Sequence, residues 1–268
     1  MKEILSLPVI RSFFFLFGLL LFFLIERLFP SREDTTSNLP RWCANLALSG
    51  INALVVGLIA SIILTGSLSF AEQKGLGLYP ALNLPPLLKT VLGLVFLDFI
   101  LYVWHLLNHV IPFLWRFHQV HHSDLDLDVT SASRFHFGEI ALAMLVRLQL
   151  IFLLGPVFKL FLAFDILVVA AAQFHHSKIK IPSWMEKIVW ILFVPPKMHL
   201  IHHSTITEEL NSNYGILFSI WDRLFGTLRT GHRLVKVEIG LEDYRKKENV
   251  TFLRLLTMPL HLRRRLPS

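Results

Sequence analysis

The chain has a single cysteine, Cys43, among 268 residues. One thiol excludes a disulfide scaffold, a cysteine-rich zinc module and a Cys-ligated iron–sulfur cluster. Charge is also scarce: 17% of the residues are Asp, Glu, Lys or Arg, against about 25% in a typical soluble domain. Acidic residues are the rarer sign, 19 against 26 basic, which leaves a net charge of +7. There is no Gly-rich dinucleotide fingerprint and no cytochrome-type haem motif, so no fused electron-transfer module is expected. Two things are in excess. Hydrophobic residues make up 54%, with 23 Phe and a mean hydropathy of +0.57; disorder needs the opposite composition, and lipid is the expected solvent. Histidine is the second, at 13 residues.

The apolar residues fall into runs long enough to cross a bilayer. Residues 4–25 form one run, interrupted by Pro8 and Arg11. At about 1.5 Å per helical residue it matches a hydrocarbon core of about 30 Å. It ends in Glu26 and Arg27 rather than at a small-residue cleavage site, so an uncleaved helix is expected. Residues 46–64 and 87–108 predict two more spans. Residues 140–172 are apolar around a Gly155-Pro156 step, which breaks a helix. They predict a hairpin of helices 140–154 and 157–172, each short enough to enter the bilayer without fully crossing. The fold class expected is all-α: a bundle of about four to five membrane helices carrying a histidine-rich cytoplasmic cap. Three regions follow: membrane helices and loops at 1–86, a region at 87–230 that holds most of the histidines, and a basic tail at 231–268.

Charge sets the expected orientation. Arg27, Arg32 and Arg41 lie between the first two spans, Lys74 alone lies in residues 65–86, and 15 of the 26 basic residues follow Phe174. The positive-inside rule then makes the first loop and the C-terminal region cytoplasmic. The basic excess fits an anionic membrane face. No nucleic-acid partner is expected, because the charge sits on a membrane chain without a recognition module. Arg263-Arg264-Arg265 reads as a surface anchor.

Eleven of the 13 histidines lie between His105 and His203. His105 and His109 are one helical turn apart. His118, His121 and His122 repeat the spacing of His199, His202 and His203, inside the similar cassettes Phe117-His118-Gln119-Val120-His121-His122-Ser123 and Met198-His199-Leu200-Ile201-His202-His203-Ser204. Positions i, i+3 and i+4 share one helix face, so each cassette is a clamp. His175 and His176 form a further pair, and His136 stands alone. Clustered imidazoles in or near lipid are costly and repel one another if protonated; a metal ion reverses that cost. Imidazole suits iron, copper, zinc and nickel. A structural zinc takes about four ligands, and the clustered histidines supply about twice that, which points to two metals. Three readings stay open at this point: an oxygenase, a non-catalytic protein with a structural or storage zinc site, and a metal transporter or haem-bearing electron carrier. Asp98, two turns before His105, and Asp165, three turns before His176, are candidates to orient the rings. Asp124, Asp126 and Asp128 follow the second cassette in a loop and are expected to be solvated.

The segment from Asp98 through Trp104-His105, His109 and Leu114-Trp115-Arg116-Phe117-His118 to Ser123 resembles the fatty acid hydroxylase/sterol desaturase superfamily. Arg134-Phe135-His136 with Glu139 is similar to its next motif, and Pro196-Lys197-Met198-His199 to Ser204 to its late histidine box. Asn213-Tyr214-Gly215 and Trp221-Asp222-Arg223-Leu224-Phe225-Gly226-Thr227 match its closing segment. Leu106, Phe137 and Lys178 stand where the family often has Arg, Pro and Asn. The resemblance implies a membrane-bound, non-haem di-iron oxygenase that hydroxylates or desaturates lipids with O2. Its electrons would come from a separate ferredoxin- or cytochrome-type donor. It implies two iron ions (Fe2+/Fe3+), replaceable by zinc, on His105, His109, His118, His121, His122, His199, His202, His203 and one of His175 and His176. His136 and Asp222 would support them from behind.

Overall fold

A computed structural model describes residues 2–34, 38–230 and 237–261 of the chain. Thirteen α-helices and several single helical turns make up the described residues, and no strand lies among them. Among the described residues, four helices are long and apolar enough to cross a membrane: residues 9–28 of α1 (Lys2–Leu28), α5 (Pro86–Val110), α7 (Phe137–Leu154) and α8 (Phe158–His176). The second expected span is instead α2 (Asn38–Ile51), a π-helical turn at Asn52–Val56, and α3 (Gly57–Gln73); side chains at 55, 56 and 58–61 lie outside the described residues, as do His232 and Arg263-Arg264-Arg265.

Proline and glycine set the helix ends. Pro112 occupies the first turn of α6 (Pro112–His122); it disfavours helical geometry at Ile111 and stops α5 at Val110. The same device starts α10 (Pro196–His202) at Pro196. The predicted hairpin is present, but its arms of 18 and 19 residues are longer than expected and reach spanning length. Between them Gly155 has φ +95° and takes the turn that an L side chain resists.

Two apolar clusters hold the elements together. One joins Leu68 and Ala71 of α3, Leu97 of α5 and Ile151, Leu154, Leu160, Phe161 and Phe164 of the hairpin. The other joins α2, α6 and the C-terminal segment through Leu48, Trp115, Val120, Leu241, Leu255 and Met258. Residues 239–260 therefore pack back onto the helices and are not a free tail. Outward positions such as Phe13, Leu20, Leu145 and Phe152 stay exposed, which is the arrangement lipid-facing helices need.

The α3–α5 connection, containing α4 (Leu78–Ala81), meets the hairpin tip at the end of the bundle away from the histidines. Gly77, φ +114°, lies against Gly155: a Cβ at 77 would fall 2.3 Å from the Gly155 Cα. Gly77→Ala combines this overlap with an unfavourable φ. It is expected to lower the apparent melting temperature in detergent, whereas Gly75→Ala, with no atom within 4 Å, should cost less. Equal melting of the two variants would show that the contact is not tight.

Candidate metal centre

Four helix ends meet at the other end of the bundle. α5 brings His105 and His109, α6 brings His118, His121 and His122, α8 brings His175 and His176, and α10 brings His199 and His202, with His203 just beyond it. All ten are buried. Their nitrogens sort into two groups in which the atoms lie within 4.8 Å of one another: His105, His109, His118, His122 and His202, and His121, His176, His199 and His203. The groups abut, since the rings of His122 and His203 stack at 4.3 Å and those of His121 and His122 lie 5.3 Å apart. Of the open pair, His176 stands in the second group, and His175 packs behind it with its ring 3.9 Å from His199.

Several rings are held by partners that can only accept. His105 Nδ1 lies 2.8 Å from the Tyr214 carbonyl, His202 Nδ1 2.6 Å from that of Ser212, and His176 Nδ1 2.6 Å from that of Ala172. His118 Nδ1 lies 2.8 Å from a Glu139 carboxylate oxygen. Each Nδ1 therefore carries the hydrogen, and in the neutral ring the lone pair is on Nε2. These lone pairs face each other: His202 Nε2 and His105 Nε2 are 3.0 Å apart. In the second group His176 Nε2 is 3.1 Å from His121 Nε2 and 3.0 Å from His199 Nε2. Between His105 and His202, where both Nδ1 atoms are held by carbonyls, two lone pairs at this distance repel, and a cation between them makes the contact bonding; His121 and His199 have no partner on Nδ1, so either can donate an Nε2 hydrogen to the His176 lone pair. Nitrogens about 2.1 Å from a shared ion sit roughly 3.0–3.4 Å apart. His118 Nε2 and both nitrogens of His122 also lack a hydrogen-bond partner. Outside the spans, His121, His122, His199, His202 and His203 are held well below the ordinary imidazole range, first by burial and then by neighbouring imidazoles. Neutral rings with free lone pairs are what a metal requires. A haem plane does not fit between His105 and His202, whose Nε2 atoms are 3.0 Å apart with the His109 ring 5.2 Å and 4.7 Å from theirs.

The carboxylates around the site differ from expectation. Asp98 touches no histidine. It accepts from the backbone N–H of Leu217 (3.2 Å) and Phe218 (3.2 Å) and from Trp221 Nε1 (2.8 Å). Asp222 accepts from the N–H of Tyr214 and Gly215, each at 2.8 Å. Together they fix the segment whose carbonyls at Ser212 and Tyr214 hold His202 and His105. Asp165 pairs with Arg147 at 2.8 Å and not with His176. His136 caps α7, its Nδ1 accepting from Gly138 N at 3.0 Å, while its Nε2 meets the Leu256 carbonyl at 3.1 Å. The carboxylate that does hold a ring is Glu139, which the sequence marks only as part of the Arg-x-His segment; nothing in its spacing, 21 residues from His118, announces the pair. Asp124, Asp126 and Asp128 are not solvated but buried, because Arg41 and Lys178 come from distant elements to pair with them.

The fatty acid hydroxylase family profile matches residues 90–227, just over half of the chain. Among curated relatives, the chain is 33% identical to ornithine lipid hydroxylase OlsE of Rhizobium tropici over 157 residues, 59% of this chain and 46% of the relative. It is 33% identical to alkylglycerol monooxygenase of Xenopus tropicalis, over 48% of this chain and 28% of the relative. It is 29% identical to human cholesterol 25-hydroxylase, over 51% and 50%. The chain thus spans half or less of the length of these relatives. No solved structure matches it. The matched residues carry both histidine groups, and the chain belongs to the fatty acid hydroxylase family.

Proposed function

We infer that this protein is a membrane-bound lipid hydroxylase that inserts oxygen from O2 into an unactivated C–H bond of a lipid. The observation that carries the reading is the pair of adjoining, buried histidine groups with inward-facing lone pairs. The relatives named for ornithine lipid, alkylglycerol and cholesterol support a lipid substrate and favour hydroxylation over desaturation. The reaction consumes R–H, O2, two electrons and two protons and yields R–OH and water. The electrons come from a separate ferredoxin- or cytochrome-type donor on the basic, cytoplasmic side, and residues 87–230 are the catalytic region.

Nine histidines would hold two iron ions, five on one and four on the other. Iron supplies the O2 activation that acid–base side chains cannot. The chain does the rest. Tyr214, Ser212, Ala172 and Glu139 fix the ring tautomers, so that each Nε2 is presented as a lone pair. Burial of all ten rings excludes bulk water. Helix ends at the membrane boundary let an acyl or isoprenoid tail approach sideways from the bilayer.

The test is metal content and product. Purified protein should hold about two irons per chain without a Soret band, and lipid mass spectrometry of cells with and without the gene should show a 16-Da difference. Stoichiometric zinc in protein made without zinc excess, with unchanged lipids, would favour the structural-zinc reading. Glu139→Gln probes the support of His118. Loss of a carboxylate behind a metal-bound histidine typically lowers metal affinity by about 10–100-fold. A chelator competition should show that drop, and an unchanged competition curve would remove Glu139 from the site.

A further inference from the structure

The outer face of α9 (Ser183–Leu192) is apolar. Trp184, Met185, Ile188, Ile191 and Leu192 follow the i, i+1, i+4, i+7, i+8 pattern of one helix face, and all are exposed. Its charged Glu186 points inward instead, buried and paired with Lys197. A helix on a water-facing surface has the reverse arrangement. The short α12 (Ile220–Leu224) extends the patch with exposed Ile220, Leu224 and Phe225. The two helices form one plate: Ser219 N donates to the Leu192 carbonyl at 3.0 Å, Ser219 Oγ to that of Trp190 at 2.8 Å, and Arg223 Nη1 to that of Ile191 at 3.1 Å.

The plate lies alongside the spanning helix α5. Phe225 stacks on Tyr102 at 5.5 Å and on Phe99 at 6.0 Å, both on the spanning helix α5. Tyr102 is eight residues from the end of α5, about 12 Å along its axis, so α12 lies beside the span and not above it. Phe193 pairs with Phe218 at 5.7 Å, and Phe218 packs on the cluster inside the bundle. At ten residues, α9 is about 15 Å long and too short to cross. Exposed Lys180, Lys187 and Arg223 flank the patch, and Trp184 is the residue type enriched at headgroup level.

We propose that α9 and α12 form an in-plane seat in the interfacial layer of the bilayer the chain spans, apolar face among acyl chains and Lys180, Lys187 and Arg223 at anionic headgroups. α9 links α8, which ends in His176, to α10, which carries His199. Seating α9 therefore fixes the depth of the four-histidine group. The proposal does not rest on the chemistry performed there.

The test uses full-length protein in nanodiscs of zwitterionic and anionic phospholipid. Cys43 is the only cysteine, so Cys43→Ser provides a background for single nitroxide labels at Ile188→Cys, Ile191→Cys, Leu224→Cys and Lys187→Cys. Leu20→Cys on α1 and Glu248→Cys calibrate lipid and water. Labels at 188, 191 and 224 should be relaxed far more by O2 than by a water-soluble nickel chelate, as at 20, with 187 shifted toward the value at 248. Chelate accessibility at 188 and 191 equal to that at 248 would overturn the proposal. Shielding of both from the two reagents would overturn it as well, and would assign the face to a second copy or a protein partner.

Discussion

His202→Ala is expected to abolish product formation and, in the proposed two-ion centre, to lower metal content toward one ion per chain. His202 is central to the five-histidine group, with its ring 4.6 Å from His105 and 4.7 Å from both His109 and His122. Its Nε2 faces that of His105 at 3.0 Å, and its Nδ1 is fixed on the Ser212 carbonyl. As a ligand in the proposed centre, His202 would be removed outright by alanine, which costs more than the roughly 10–100-fold that follows from losing a carboxylate behind a ligand, so activity should fall by more than about 100-fold. His121→Ala should do the same through the four-histidine group. His261→Ala is the control: it is exposed and belongs to neither group, so metal and activity should stay near wild type. Metal analysis beside a product assay separates the outcomes. Full metal and full activity in His202→Ala would mean that the ring is packing, not ligation. Full metal with lost activity would move His202 from ligand to substrate contact.

The two cassettes and their convergence were legible because a helix turns spacing into a shared face, and because buried imidazole clusters have few other stable outcomes. The partners of those rings were less legible. Asp98 does share a face with His105, but a face says nothing about which neighbour lies across it; here it is the backbone at Leu217 and Phe218. Asp165 shares a face with His176, but 11 residues of helix separate them by about 16 Å, and Arg147 is the nearer partner. Glu139 was passed over because its ring, His118, belongs to another helix. Carbonyl partners such as Tyr214 and Ser212 leave no trace in side-chain identity. The hairpin was readable from Gly155-Pro156, whereas the inverted amphipathicity of α9 could not be recognised until Glu186 was seen to point inward.

The segment 124–128 shows the same limit with larger energetic consequences, and Arg41→Ala tests it. Arg41 is buried, with Nη1 at 3.1 Å from Asp124 Oδ2 and Nη2 on Asp128. Asp124 also accepts from Asn45 (3.1 Å) and Ser131 (2.7 Å), and Asp128 from Trp42 (2.8 Å) and Thr130 (2.7 Å). On the other side Lys178 meets Asp126 at 2.6 Å and also bonds Asp34, while Glu26 accepts from the N–H of Val129 and Lys178. Asp124 follows His122 by two residues and Lys178 follows His176 by two, so this network stands directly behind both histidine groups. Removing one partner of a buried ion pair leaves an uncompensated charge and costs about 3–5 kcal/mol. Arg41→Ala should therefore unfold at clearly lower denaturant, and adding Asp124→Asn and Asp128→Asn should recover part of the loss. The acid limb gives a second reading. Burial alone would raise the Asp128 carboxyl, but Arg41 and the donors around it outweigh burial and hold it below the usual range. A depressed carboxylate stabilises the fold above its unfolded pKa, about 3.9, and that stabilisation is lost as pH falls through the folded value. The neutral buried histidines already lower stability as pH falls below about 6.5, so the Asp128 contribution is a further fall below about pH 4, and that further fall should be shallower in Arg41→Ala than in wild type. An Arg41→Ala protein with wild-type denaturation and an unchanged acid limb would mean that these carboxylates face water after all.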